Sequence, residues 1–309
     1  MGIDNRGIAL DGILNINKPL NKTSFSIVAM VKRLSGERRV GHAGTLDPAA
    51  TGVLPICLGR GTRVIEFLVD TTKTYIARIE LGVATDTYDS SGQITQQGDP
   101  SGINQPQLES ALDSLRGSIQ QTPPMYSAVK HHGQPLYELA RAGIEVERKS
   151  RPAKIHRLEL IAWQPPIVTV EVECGKGTYI RSLAHDLGQS LGCGAHLKNL
   201  TRTRCGLFDI KDAISITQLE EAFRYGYWQH FVYPIDIVLS NHSAIVVNDA
   251  SEDTIRKGGS LFLEQGDNSG KNGHTGQNHC RAYTLDGRFL GVLHRVPEKG
   301  LWQPKKVLQ

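Results

Sequence analysis

Residues 41 to 52 read Gly-His-Ala-Gly-Thr-Leu-Asp-Pro-Ala-Ala-Thr-Gly. Gly41, Gly44 and Gly52 permit tight backbone turns around His42 and Asp47, so a lone carboxylate sits in a glycine-rich setting. Two readings suit it. A carboxylate held this way can serve as a nucleophile or base. Alternatively, Asp-Pro-Ala-Ala is the local pattern of a helix start, with Asp47 as N-cap and Pro48 in the first helical position. The two are compatible, because a capping residue can also react. Charge distribution adds a partner class. Residues 18 to 63 carry a net +6, residues 64 to 125 a net −5, and residues 126 to 211 a net +5. Two basic blocks around an acidic one suit a face that meets a polyanion such as nucleic acid. Solvated lysines and arginines with no partner would give the same totals.

The elements that must position these groups alternate between strand and helix. Gly12 to Asn17 reads as a strand. Thr23 or Ser24 then offers a capping oxygen ahead of Ile27, Val28, Val31 and Leu34, which are spaced for one helix face that Gly36 can close. Val64 to Val69 and Leu108 to Leu115 read as further helices. Thr74 to Leu81 alternates at period two, with Tyr75, Ala77, Ile79 and Leu81 on one face. Strands are also expected at Ile155 to Trp163 and Ile167 to Glu173. Tyr179 to Leu191 returns to helical spacing, with Ile180, Leu183, Ala184 and Leu187 on the apolar side and Arg181 and His185 elsewhere. From about residue 240 the texture turns β-rich, and Ala282 to Val296 reads as two strands around an Asp286-Gly287 turn. Residues 266 to 279, rich in Gly and Asn, are expected to form a mobile loop. The pattern is α+β with a large sheet.

At 309 residues the chain has the length of about two domains. Its 39% hydrophobic and 21% charged residues exclude wholesale disorder and fibrous folds. No apolar run approaches the roughly 18 residues of a membrane span, and the start, MGIDNRGIALDG, lacks the features of a signal peptide. The expected compartment is therefore the cytoplasm. Five cysteines without a C-x-x-C pair read as reduced thiols. His274, His279 and Cys280 match no zinc spacing. With no H-E-x-x-H, Walker A loop or complete G-x-G-x-x-G, any chemistry is expected to use side chains alone, without metal or nucleotide cofactor.

Six segments carry a resemblance that spacing alone does not. Gly41 to Leu54 resembles the catalytic motif of the TruB family, bacterial tRNA pseudouridine synthases that modify uridine 55 in the TΨC loop. Asn17 to Ser24, Lys73 to Gly92, Gln121 to Gly143, Cys174 to Gly188 and Ala195 to Phe208 resemble further family motifs, in family order, over most of residues 12 to 210. The resemblance implies a pseudouridine synthase fold, a mixed and largely antiparallel sheet flanked by helices, over residues 1 to 238. A small β-barrel-like, PUA-type RNA-binding domain would follow over residues 239 to 309. It implies that Asp47 is the nucleophile, that Arg181 pairs with it and keeps it ionised, and that Tyr75 stacks on the target base and assists proton movement from C5. It also implies that His42 enters the space left by the flipped base, that Tyr179 and Leu200 line the uracil pocket, and that Lys18 and Pro19 form a structural pair beside it. Lys130 and Arg141 lie where basic side chains could meet phosphates. The implied partner is the T arm of tRNA, and the implied state is a monomer.

Asn21 stands where the family usually has glycine, but asparagine tolerates left-handed backbone. Residues 239 to 309 resemble the PUA module only through Gly287 to Val292 and the closing strand. Two rivals remain: a non-catalytic RNA-binding or tRNA-folding protein, and a pseudouridine synthase acting on another RNA. Intact Asp47, Tyr75 and Arg181 argue against the first, and the Gly44 to Gly52 stretch argues against the second.

Overall fold

The computed structural model describes residues 11–262 and 278–308. Most of the expected loop at 266 to 279, His274 with it, and the first ten residues fall outside the described residues.

The chain opens with strand β1 (Gly12–Lys18), in which Ile13, Leu14 and Ile16 are fully buried. Helix α1 (Ser24–Ser35) follows. Thr23 caps it, its hydroxyl accepting the Ser26 N–H at 2.9 Å, and Gly36 closes it at φ 68°. Asn21, in the turn between them, has φ 60°, so asparagine does occupy the left-handed position. Strand β2 (Val40–His42) and strand β3 (Ala50–Leu58) then form a hairpin whose tip carries residues 43 to 49.

No helix starts at Asp47. Residues 47 to 50 form a turn in which the Ala50 N–H donates to the Asp47 carbonyl at 3.0 Å, and β3 begins at Ala50. The local preference of Asp-Pro-Ala-Ala loses because residues 50 to 58 are claimed from outside. Gly52 to Leu58 pair with β1, and Ala50 to Gly52 pair with a later strand on the other side. Such ladder bonds and the burial that accompanies them exceed the few tenths of a kcal/mol per residue that propensity supplies.

Helix α2 (Ile65–Val69), strand β4 (Lys73–Leu81), helix α3 (Gln105–Ser114), strand β5 (Gly117–Gln121), the short helix α4 (Leu136–Arg141), strand β6 (Arg151–Gln164), strand β7 (Ile167–Cys174), helix α5 (Ile180–Ser190), strand β8 (Ala195–Cys205), strand β9 (Phe208–Asp209), helix α6 (Ile216–Tyr225) and strand β10 (Val232–Tyr233) complete the first unit. Its sheet runs β10-β1-β3-β8-β4-β7-β6-β5, with β2 added to β3 and β9 to β8. Every pairing is antiparallel except β3 with β8, where Ala50, Thr51 and Gly52 face Leu200, Thr201 and Arg202. The sheet is therefore mixed and largely antiparallel, as the resemblance implies.

On the β1–β3 half, α1 and α6 pack on the face carrying Leu14, Ile16, Leu54 and Ile56, while Val64 and Leu68 pack on the face carrying Ile13, Val53 and Cys57. On the other half, Leu108 and Leu112 of α3 and Leu183 and Leu187 of α5 cover Ala77, Ile79, Val170 and Val172. The five cysteines are free and buried. A second sheet holds β11 (Ser243–Val246), β12 (His279–Tyr283), β13 (Phe289–Val296) and β14 (Leu301–Val307), with helix α7 (Asp249–Arg256) packed on it through Ile255. The strands β12 and β13 flank a turn with Gly287 at φ 82°, as the Asp-Gly signal predicts. Cys280 points into this small core while neighbouring His279 faces Phe67 across the junction, so strand alternation separates the two. Among the described residues, no helix is long and apolar enough to cross a membrane.

The parallel β3–β8 seam has one glycine it cannot lose. Gly52 has φ 104°, and a Cβ there would lie 2.1 Å from the Arg202 carbonyl oxygen, which is backbone and cannot step aside. Gly36, at φ 68° with nothing within 4 Å, suffers only the conformational penalty. Gly52→Ala is expected to lower unfolding free energy by about 3 kcal/mol or more and Gly36→Ala by about 1 kcal/mol, measured by denaturant unfolding followed by circular dichroism.

Candidate active site

The tip of the β2–β3 hairpin has no regular structure of its own and is held by side chains from three other places. Lys18, at the end of β1, is fully buried and its Nζ donates to the carbonyls of Lys22 at 2.7 Å, Pro19 at 3.0 Å and Pro48 at 3.5 Å. The Asn21 N–H donates to the same Pro48 carbonyl at 2.9 Å. Buried Ser24, the first residue of α1, accepts the Leu46 N–H at 2.9 Å and donates to the Leu46 carbonyl at 3.1 Å. From the far side Arg202, 1% exposed, donates through Nε to the Val53 carbonyl at 2.7 Å and through Nη2 to the Gly44 carbonyl at 3.1 Å. Burying these polar groups is tolerable because each is satisfied, and together they fix the backbone on both sides of Asp47.

Arg181 arrives from the opposite half of the sheet. Gln121, at the end of β5 and 2% exposed, accepts the Tyr179 N–H at 2.8 Å and donates to the Tyr179 carbonyl at 2.9 Å, pinning the start of α5. One residue into α5, the guanidinium of Arg181 is buried. Its Nε lies 3.0 Å from Asp47 Oδ2, its Nη2 donates to the Tyr126 carbonyl at 2.8 Å and its Nη1 to the Thr87 carbonyl at 3.4 Å. A second carboxylate, Asp89, stands 3.7 Å from the same Nη1 and is fixed by the Thr87 hydroxyl at 2.7 Å and the Ser91 N–H at 3.0 Å. One arginine thus bridges two carboxylates. Asp47, Asp89, Arg181 and Leu200 line one narrow cleft together with Ala49, Ala50, Ser90, Leu197, Lys198 and Asn199.

The electrostatics depart from the expectation that Arg181 settles the state of Asp47. Arg181 does pull the carboxyl down, as an opposite charge must. Lost hydration at the base of the cleft nevertheless dominates, and with Asp89 adding to it and Lys18 opposing it, the Asp47 carboxyl is raised above its ordinary value. The group is therefore more basic than a solvated aspartate. Burial lowers Lys18 to about 8, against the pull of Asp47 and with help from Arg202. Burial and Arg202 also lower His42, so this imidazole is neutral at neutral pH, and its Nδ1 is enclosed without a hydrogen-bond partner among the described residues. Burial raises Tyr75 to about 12 against the neighbouring Arg202. Its phenol keeps its proton at neutral pH and can donate a hydrogen bond or offer a ring face, but supplies no phenolate base.

Tyr75 and Leu200 lie at the centre of the sheet, each packing against both halves of the core. Leu200 pairs with Ala50 of β3 and Ala77 of β4, next to the seam that delivers Asp47. Tyr179 is the residue before α5, two before Arg181. Lys18 holds the loop from within through its amine, and Pro19 supplies one of the carbonyls that fix that amine. Lys130 is exposed on a small hairpin and is absent from the cleft lining, and exposed Arg141 lies 5.5 Å from the Tyr137 ring. Asp89, Gln121 and Arg202 were not singled out by residue type and spacing, and Ser24 only as a capping alternative to Thr23, which is the cap. Asp89 lies in a Thr-Asp-Thr-Tyr-Asp-Ser-Ser run whose caps and turns read as ordinary loop chemistry, and Arg202 is one of two arginines in Thr-Arg-Thr-Arg. Nothing local tells which is buried.

A family model described as TruB family pseudouridylate synthase (N terminal domain) matches residues 32–180, and one described as tRNA pseudouridylate synthase B C-terminal domain matches residues 181–240. A relative called tRNA pseudouridine synthase B in Dehalococcoides mccartyi (strain CBDB1) is 43% identical over 298 residues, covering 96% of each chain. Its counterpart in Syntrophotalea carbinolica is 49% identical over 211 residues, 68% of this chain and 69% of the relative. Among solved structures, a chain of a Cbf5-Nop10-Gar1 complex superposes with a TM-score of 0.73 at 24% identity, covering 96% of this chain and 85% of that one, a likeness of fold.

The balance of charges around Asp47 has a testable sign. In protein carrying isotope-labelled aspartate carboxyls, Asp47 is expected to titrate above the ordinary aspartate range by nuclear magnetic resonance. Arg181→Met removes a stabilising cation and should move that titration higher. Asp89→Asn removes a repelling anion and should move it lower. Movement of both variants in the same direction would contradict this arrangement.

Proposed function

The chain belongs to the TruB family of pseudouridylate synthases, and we propose from that premise that it isomerises uridine 55 in the TΨC loop of tRNA to pseudouridine with Asp47 as nucleophile. The observation that carries this reading is the Asp47–Arg181 pair at 3.0 Å, set in a cleft where lost hydration raises the basicity of the carboxylate. The names of the relatives support tRNA as substrate.

The reaction needs no redox change. The N1–C1′ bond of the nucleotide breaks, the uracil turns within the site, C5 bonds to C1′, the C5 proton leaves and N1 gains one. An ionised carboxylate either bonds covalently to the nucleotide or stabilises positive charge developing at C1′, and both routes require it close, desolvated and negative. A carboxylate raised in pKa is a stronger nucleophile once ionised, provided a cation keeps it ionised at the working pH, which is the role of Arg181. The target base must leave the stack before its glycosidic bond can be reached. Tyr75 stacks on that base, Leu200 and Tyr179 line its pocket, and neutral His42 fills the space it vacates. Because the Tyr75 phenol keeps its proton, the final C5 proton passes to a more basic acceptor, for which the Asp47 carboxylate is the best placed of the cleft groups.

Recognition of a folded RNA loop rests on shape and phosphates, so binding should weaken with salt. Tritium release from a tRNA transcript labelled at uridine C5 tests the reaction. One equivalent per tRNA from the wild type, none from Asp47→Asn, and none when uridine 55 is replaced by cytidine are expected. Release that ignores the cytidine replacement would discard the position, and binding without release would favour an RNA-folding protein. Arg181→Met should slow single turnover by on the order of a hundredfold while filter-binding affinity changes little. Equal losses of rate and affinity would refute that division of labour.

A further inference from the structure

Two apolar side chains stand in water beside the catalytic loop, although the residues between and around them are tightly fixed. Leu20 is 50% exposed and Phe25 is 75% exposed. Leu20 lies in the turn whose ends are held by buried Lys18, through the carbonyls of Pro19 and Lys22, while its next residue, Asn21, donates to Pro48. Phe25 follows Ser24, whose hydroxyl makes both hydrogen bonds to Leu46. Each is therefore anchored within a residue or two of a group that touches the segment 46 to 48, on either side of Asp47. Isolated exposed apolar residues need no explanation. Two rigidly presented ones flanking a reactive carboxylate form a lip.

The charge along α1 and its flanking turns is one-sided. Lys22, Lys32, Arg33, Arg38 and Arg39 are all exposed, and among the described residues none of them takes part in an ion pair. The one acidic residue of the stretch between Lys22 and Arg39, Glu37, is turned inward at 5% exposure, where it accepts the Arg39 N–H at 2.8 Å. A protein partner of ordinary composition would not call for five unneutralised cations along α1 and its flanking turns on an element that also presents two exposed apolar side chains. An unstacked RNA strand supplies what both features lack: phosphates for the cations and base faces for the apolar surfaces.

We propose that Leu20, Phe25 and the cations of α1 and its flanking turns form a strand-binding lip, on which nucleotides adjoining the flipped uridine stack against Phe25 while their phosphates meet Lys22 and its basic neighbours. This inference rests on the reading of the chain as a tRNA-modifying enzyme and adds residues that specify how the opened loop is held. When a base leaves its stack, its neighbours lose a stacking partner, and an aromatic face at the rim replaces part of that loss. Phe25 acts here on substrate binding and not on the chemical step.

The test measures kcat and KM for unmodified tRNA with Phe25→Ala, Phe25→Tyr and Leu20→Ala. Equilibrium binding is measured in parallel in an Asp47→Asn background, where no turnover is needed. Phe25→Ala should raise both KM and the dissociation constant about tenfold, in the range that loss of one base–aromatic stack produces, with kcat little changed. Phe25→Tyr, which keeps the ring, should restore wild-type values, and Lys22→Ala should lower the salt dependence of binding by about one phosphate contact. High exposure of Phe25 means the fold is not at risk, and a coincident thermal melt checks this. Unchanged KM and affinity in Phe25→Ala would overturn the proposal, as would a loss of kcat at unchanged affinity or an equal loss of affinity for an RNA duplex without a loop. Unchanged RNA affinity with self-association of the wild type in sedimentation would assign the lip to a second copy instead. Because the binding arm runs without catalysis, a failure of the isomerisation reading and a failure of the lip give different results.

Discussion

A buried guanidinium with nowhere else to go organises this molecule. Arg181 is 7% exposed, and a cation taken out of water must be compensated by acceptors or counter-charges. It finds them on three stretches far apart in sequence: Asp47 on the hairpin tip, Thr87 and Asp89 on the loop after β4, and Tyr126 beyond β5. Satisfying one side chain therefore brings together pieces that the chain connectivity leaves separate. The partner it serves is the least buried member, since 43% of the Asp47 side chain remains open to the cleft. The pair is asymmetric by construction, with a fixed cation inside and an accessible anion outside.

The same economy recurs one layer out. Lys18, Ser24 and Arg202 are long or polar side chains enclosed in the sheet or at its end, and each directs at least one hydrogen bond at backbone of the segment 44 to 53. A loop without internal secondary structure would otherwise sample many conformations, at a cost of about 1 to 2 kcal/mol per residue to fix. Here the cost is met at folding, before any substrate arrives, so Asp47 is already positioned when the base enters. Arg202 also acts on its neighbours, lowering His42 and Lys18 and opposing the rise in Tyr75, so one buried charge biases three nearby residues toward states with less positive or more negative charge.

The second sheet docks beside α2 through few but specific contacts. Lys306 pairs with Glu66 at 2.9 Å, and Lys305 lies 5.0 Å over the ring of Phe67. Half-exposed ion pairs of this kind contribute little to stability on their own. Their value lies in orientation, since charge and ring geometry together favour one arrangement of the second sheet against α2.

Periodicity and end signals were enough to read much of this from the chain. The alternation of Tyr75, Ala77, Ile79 and Leu81, the Thr23 cap, the Gly36 stop and the left-handed tolerance of Asn21 are properties of residues within a few positions of one another, and the structure has them. The motif resemblance likewise singled out Asp47, Arg181, Tyr75 and Leu200, which the fold brings to one region. What the sequence could not supply depends on partners from 30 to 158 residues away. The Asp47 segment looks like a helix start and is a strand lead-in, because β1 and β8 claim residues 50 to 58. Lys18 and Arg202 look like surface cations and are interior struts. The Asp47 carboxyl sits above its ordinary value although it touches an arginine, because hydration lost on burial is a property of the whole surrounding volume. Local patterns determine which elements form and which residues can react; only the packed structure decides which charges lose their water, and that decision sets the chemistry.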